Sequence, residues 1–210
     1  WSLMGVETSE PIINDASLEA NFTNEIGVAG TVRLLKNIPG LWVLQECRRA
    51  WAKAGSEYSY AELTGHASEA KSIDTILDLD QFISPGEHPE RIRQFCVLSG
   101  QEVPADVGSM TRVILQSLAE RYRQVLELLE SLTNKSIETI HVVGGGSQNA
   151  LLNQMVADRT GRRVVAGPAE ATALGNALTQ AMGTGQVNSL EELRAVVRGS
   201  FELHEFTPKR

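Results

Sequence analysis

Gly144-Gly145-Gly146, followed by Ser147, Gln148 and Asn149, is the stretch whose residue types and spacing suit chemistry. Glycine has no Cβ, so the backbone can approach a ligand closely. A helix beginning just beyond would offer free N–H groups to an anion. The matching chemistry is backbone recognition of a phosphate-bearing ligand; the same residues also suit a tight strand-to-helix turn that binds nothing. The spacing is not the dinucleotide fingerprint G-x-G-x-x-G, because Asn149 stands where the third glycine belongs. Nor is it a P-loop, since no Gly-Lys-Ser/Thr follows.

Other reactive side chains are scattered. Cys47 and Cys96 form no C-x-x-C pair, and four histidines show no metal-ligand spacing. Both cysteines read as small core hydrophobes. Asp78 and Asp80 lack the remaining ligands of an EF-hand loop. Gln45 falls at the edge of an apolar helix face, where an ordinary solvated residue also fits. Asn37, just ahead of Pro39-Gly40, suits a turn, and the polar cluster Asn21, Thr23, Asn24 and Glu25 suits turn chemistry or a ligand-facing edge.

A binding turn needs a rigid frame, and the flanking residues predict one. Residues 139–143 are a short β-branched run and read as a strand. Residues 149–160 carry Leu151, Leu152, Met155 and Val156 at helical spacing. A second strand at 163–166 follows Gly161, and a helix from near Glu170 to Met182 is closed by Gly183. A strand–loop–helix–strand–helix order predicts a parallel sheet in an α/β fold.

Ahead of this unit, residues 1–37 read as a meander with strands at 1–7, 11–13, 21–25 and 30–35. A helix is expected over 41–53, with Leu44, Cys47, Trp51 and Ala54 on one face. Ser59-x-x-Glu62 and Ser189-x-x-Glu192 are capping boxes that start helices reaching about residues 70 and 198. Residues 75–80 alternate and read as a strand, and 88–99 as a helix. The longest helix, 107–132, carries the stripe Ile114, Leu118, Tyr122, Val125, Leu129 and Leu132, which should face a sheet. Residues 201–206 predict a last edge strand.

Bulk properties narrow the class. A hydrophobic share of 42% across 210 residues supports a globular core, and a net charge of −7 argues against nucleic-acid and anionic-membrane partners. No apolar run approaches the roughly 18 residues of a membrane span. Neither a basic leader nor a cleavage site is visible, so a reducing cytoplasm is expected. The chain opens Trp1-Ser2-Leu3-Met4 without an initiator methionine, as a piece of a longer protein would.

Three segments taken together resemble the carboxyl-terminal half of the FGGY carbohydrate kinases. They are Asn21-Phe22-Thr23-Asn24-Glu25, then Leu34-Leu35-Lys36-Asn37-Ile38-Pro39-Gly40-Leu41-Trp42-Val43-Leu44-Gln45-Glu46, then residues 141–177. The resemblance implies an actin-like ATPase (ribonuclease H-like) α/β domain with a mixed central sheet and helices on both faces. Residues 1–210 would be its nucleotide-side domain, with an amino-terminal domain of the same protein lying outside this sequence. The middle segment is most similar to members that phosphorylate L-rhamnulose. The implied reaction is transfer of the ATP γ-phosphoryl group to the sugar's 1-hydroxyl, with Mg²⁺.

Carried over, Gly144, Gly145 and Gly146 resemble the loop under the nucleotide phosphates, and Asn149 the residue that reaches the adenine. Gln45 resembles a nucleotide-side contact and Asn37 a residue near the sugar. Gly175 resembles a close helix–sheet packing point. No catalytic base and no metal ligand is matched in this chain; the family's are in the amino-terminal domain. A kinase for another sugar or polyol (xylulose, fuculose, glycerol) and a non-catalytic actin-like nucleotide-binding module remain open alternatives.

Overall fold

The structure is a computed structural model and describes residues 1–209. In chain order its elements are β1 (Ser2–Thr8), α1 (Asp15–Glu19), β2 (Thr23–Ile26), β3 (Val32–Ile38), α2 (Trp42–Lys53), α3 (Tyr60–Glu69), α4 (His88–Ser99) and α5 (Val107–Thr133). Then come β4 (Thr139–Val142), α6 (Ala150–Thr160), β5 (Arg163–Ala166), α7 (Ala171–Gly183), α8 (Leu190–Ser200) and β6 (His204–Phe206). The expected central sheet is present as two three-stranded sheets, ordered β1-β3-β2 and β4-β5-β6. The second is mixed, because β4 and β5 run parallel while β6 returns antiparallel to β5.

The chain divides into two compact units, one of Trp1–Leu3 with Asn37–Gln124, the other of Met4–Lys36 with the chain from Val125 onward. In the first, α2 buries Val43, Leu44 and Cys47 completely. Each such aliphatic side chain contributes about 1.5–3 kcal/mol by leaving water. Glu46 is buried on the same helix and is held by Arg49 and by the Gly86 amide. Trp51 and Ala54, expected on that face, are half-buried and exposed. Burial lifts the Cys47 thiol far above its ordinary range and raises that of Cys96, which suits inert core residues. The α3 capping box forms as expected, with Ser59 and Glu62 satisfying each other's amides.

Residues 75–80 are not the strand that their alternation predicts. Thr75, Leu77 and Leu79 do point inward, and Asp74 and Asp78 outward. Among the described residues no neighbouring strand pairs with them, however, and side chains take its place. Gln101 accepts from the Ile76 amide at 2.8 Å and donates to the Ile76 carbonyl at 3.1 Å. Ser117 accepts from the Leu77 amide, and Gln116 donates to the carbonyls of Ile73 and Thr75. Residues 11–13 are likewise no strand, because the Asn24 side chain bonds both the amide and the carbonyl of Ile12. The short α1, unforeseen in the sequence, follows with Asn14 and Ser17 forming its capping box.

In the second unit, β2 and β3 pair antiparallel from Thr23↔Leu35 to Ile26↔Val32. The strand–turn–helix–strand–helix unit matches expectation, with β4 and β5 in register from Thr139↔Arg163 to Val142↔Ala166. Val164, Val165 and Ala166 are buried, and α6 packs on β5 and β6 through Leu152, Val156 and Ala157. Gly175 does not serve as a close packing point: a Cβ there would meet no atom within 4 Å. Among the described residues no helix is long and apolar enough to cross a membrane.

Candidate functional site

The glycine turn lies at the carboxyl ends of β4 and β5, the edge where parallel α/β sheets bind ligands. Two further hydrogen bonds tie the loop after β5 to the end of β4 and to the glycine turn. The Gly167 amide donates to Val142 at 2.8 Å, and the Gly144 amide donates to Pro168 at 3.1 Å. Gly144 has φ 75° and ψ −165°, a backbone region essentially reserved for glycine. That conformation swings the chain off the strand into a short 3₁₀ turn over Gly145–Gln148.

The turn is held from within. Ser147 bonds the Gly144 carbonyl twice, by its amide at 3.0 Å and its hydroxyl at 2.7 Å. Asn149 then caps α6, its side-chain oxygen accepting from the Leu152 amide at 3.0 Å. Asn153, 1% exposed, donates to the Ser147 carbonyl at 3.0 Å, while its Oδ1 has no partner among the described residues.

What the turn presents outward is backbone. A Cβ at Gly145 would meet nothing within 4 Å, and one at Gly146 would only touch Val142 Cγ1 at 3.8 Å. The amides of these two residues open the turn, where a helix's first N–H groups lack acceptors of their own. The α6 amino terminus adds a favourable field for negative charge. Such an arrangement can hold an anionic group against bare main chain.

Next to the turn is an open cleft of about 900 Å³, lined by Ser147, Gln148 and Ala150, by the loop after β5, and by residues 201–206. The structure therefore brings Gly144, Gly145, Gly146 and Asn149 together at one edge. Gln45 and Asn37 belong to the other unit. Gln45 is half-buried on α2 and lines a cleft of about 620 Å³ with Arg48, Arg49, Tyr58 and Glu62. Asn37 is exposed near the end of β3. Sequence reasoning missed Asn153, although a polar residue between Leu152 and Val156, one turn after Asn149, was a readable signal. It also missed the cleft wall at 201–206, for which local pattern gave no signal.

A mixed sheet carrying a strand–glycine turn–helix at its carboxyl edge fits the actin-like α/β fold expected from the resemblance. Residues 1–184 match the family model described as the FGGY family of carbohydrate kinases, C-terminal domain. The chain belongs to the FGGY family of carbohydrate kinases. It is 46% identical over 211 residues to a rhamnulokinase of Bacteroides thetaiotaomicron, covering 100% of this chain and 43% of that protein. A rhamnulokinase of Bacillus subtilis is 40% identical over 211 residues, with the same coverage of 100% and 43%. Among solved structures, a Plasmodium falciparum glycerol kinase with ADP superposes with a TM-score of 0.67 at 14% identity, over 99% of this chain and 41% of that one. A xylulose kinase from Rhodospirillum rubrum gives 0.65 at 16% identity, over 99% and 41%. The chain thus spans less than half the length of these relatives.

Proposed function

We propose that these residues form the nucleotide-side domain of a cytoplasmic kinase that phosphorylates L-rhamnulose at its 1-hydroxyl, acting with an amino-terminal domain of the same protein. The observation that carries this reading is identity of 46% and 40% to rhamnulokinases along the entire chain. The solved xylulose and glycerol kinases share the fold at 16% and 14% identity and lend those substrates no comparable support.

In this reading the Gly144–Gly146 backbone receives the phosphates of ATP and Asn149 meets the adenine. Gln45 contacts the nucleotide and Asn37 lies toward the sugar. The sugar hydroxyl oxygen bonds to the γ-phosphorus as the bond to the bridging oxygen breaks; ADP leaves, and the hydroxyl proton passes to a base in the amino-terminal domain. Little covalent help is needed, because phosphoryl transfer depends on positioning and charge stabilisation from both sides. Mg²⁺ is held mostly by phosphates, waters and one or two carboxylates. The turn Gly144-Gly145-Gly146-Ser147-Gln148-Asn149 carries no carboxylate. It does not fit the ion, so no Mg²⁺ ligand is assigned to it.

The test is a panel of L-rhamnulose, D-xylulose, L-fuculose and glycerol assayed side by side with the whole protein. L-Rhamnulose should give the highest kcat/KM, since a site built around one set of hydroxyls penalises substrates that leave its polar groups unpaired. Equal use of glycerol would remove the sugar assignment. ADP binding without phosphorylation of any of them would favour a non-catalytic nucleotide-binding module.

A further inference from the structure

We propose that Ser147 and Asn153 are positioning residues, which together aim the Gly145 amide at the phosphates of the bound nucleotide. The inference rests on the nucleotide-binding reading of the glycine turn above. It concerns two residues to which that reading gives no contact with the ligand.

The glycines cannot hold the turn's shape by themselves. Gly145 and Gly146 have no side chains to pack, and their Cβ positions meet no atom closer than 3.8 Å. Glycine has the most backbone freedom to lose on ordering, and a 3₁₀ turn has poorer hydrogen-bond geometry than an α-helix. The order must come from beneath, and Ser147 supplies the first part. Its amide at 3.0 Å and its hydroxyl at 2.7 Å both donate to the Gly144 carbonyl, which holds that oxygen inside the turn. The peptide joining Gly144 to Gly145 is planar and trans, so its N–H points the opposite way from its C=O. Holding the carbonyl inward therefore directs the Gly145 N–H outward, where the space is open.

Asn153 anchors Ser147 to the core. Its Nδ2 donates to the Ser147 carbonyl at 3.0 Å, and its own amide donates to the Asn149 carbonyl at 3.0 Å. The first bond reaches back six residues and the second closes the first turn of α6. The glycine turn is thereby stapled to a helix that packs on β5 and β6. Packing alone does not account for an asparagine here. The side chain lies between buried Leu152 and Val156, and its Oδ1 has no partner among the described residues. A buried acceptor without a partner costs stability, and sequences keep such a conflict mainly where function requires it. The Nδ2 donor is what this position requires.

Asn153→Leu and Ser147→Ala in the whole protein, with Ser147→Thr as the conservative variant, test this relay. Each of the first two should raise KM for ATP and weaken ADP about two- to tenfold, the scale of one ordinary hydrogen bond. KM for L-rhamnulose at saturating ATP should stay at the parent value. Ser147→Thr keeps the hydroxyl and should bind ADP like the parent. A merely structural role would lower the urea midpoint and the active fraction, hence kcat, without moving KM for ATP. Parent-like ADP affinity in folded Asn153→Leu and Ser147→Ala overturns the proposal. So does Ser147→Thr binding ADP as weakly as Ser147→Ala. If Asn153→Leu fails to fold, the two Ser147 variants decide alone. The underlying reading is scored on the parent: no ADP binding there removes the turn as a nucleotide site. A parent that binds ADP, beside variants that bind it equally well, removes only the relay.

Discussion

Replacing Gly145 by valine and, separately, Gly144 by alanine should split binding from stability at two adjacent residues. At Gly145 the space for a side chain is open and φ lies outside the left-handed range. The fold should accept the valine, since a glycine replaced at a compatible angle tends to gain about 0.4–1 kcal/mol from the unfolded state. The ligand fares differently. A side chain there would push phosphates away from the Gly145 and Gly146 amides, and each hydrogen bond to a charged group is worth about 1.5–3 kcal/mol. Losing one weakens ADP by at least about tenfold, since 1.4 kcal/mol is a factor of ten. Gly144 shows the opposite balance. Its φ of 75° with ψ of −165° costs another residue about 1–3 kcal/mol. Calorimetric titration with ADP and urea unfolding of both variants of the whole protein provide the two readouts. If Gly145→Val stays folded and binds ADP like the parent, the turn is only a turn. If Gly144→Ala unfolds at the parent's urea midpoint, the backbone argument is wrong.

Asn149→Asp keeps an oxygen for the Leu152 amide and removes the amide donor, so ADP binding should weaken while the urea midpoint holds; Asn149→Ala should also lose about 0.5–2 kcal/mol of stability with the cap. Glu130 accepts from the Ile137 amide at 2.7 Å and pairs with Arg162, and these hold its carboxyl below the ordinary 4.5. A lowered folded value means that its stabilisation is complete above pH 4.5 and is lost as pH falls below that, through the folded value. Glu130→Gln should therefore unfold more easily than the parent at neutral pH and differ less from it in acid, and a constant gap between the two urea midpoints would refute this. Assayed alone with L-rhamnulose, the 210 residues should consume no ATP. A missing general base costs about 10²–10⁴ in rate, and turnover free of whole-protein contaminant would place the base within this chain.

Much of the frame was legible because its local signals agree. The β-branched run before Gly144, the apolar spacing within α6, and the glycines closing α6 and α7 all favour the same element order, and the elements form within a residue or so of expectation. Residues 75–80 misled because alternation reports which side of an extended chain is buried, not what its backbone bonds to. Only the fold shows that Gln101, Gln116 and Ser117 supply those bonds. Residues 11–13 failed for the same reason, through Asn24. At the site, the three glycines were visible, but their division of labour was not. The three glycines look alike in sequence, yet the positive φ is at Gly144 and not at Gly145, because φ is set by the path from β4 into the turn. Asn149 was read as a ligand contact and is also a helix cap. Phe201 and Leu203 reach the cleft only through the pairing of β6 with β5, a long-range event that local spacing cannot encode.

The bonds that side chains make to the extended stretch around Ile76 have a consequence for its motion. In a ladder, the alternate amides that face one neighbouring strand are freed together when that strand peels away. The amides of Ile76 and Leu77 are instead each tethered to one side chain, Gln101 and Ser117. A single torsional flip frees either one without disturbing the other. Their hydrogen-exchange rates should therefore be set individually, with low opening energies and no shared unit, even though Leu77 is 3% exposed and sits beside fully protected core. Removing the Ser117 hydroxyl would release the Leu77 amide to exchange and leave the Ile76 amide at its former rate.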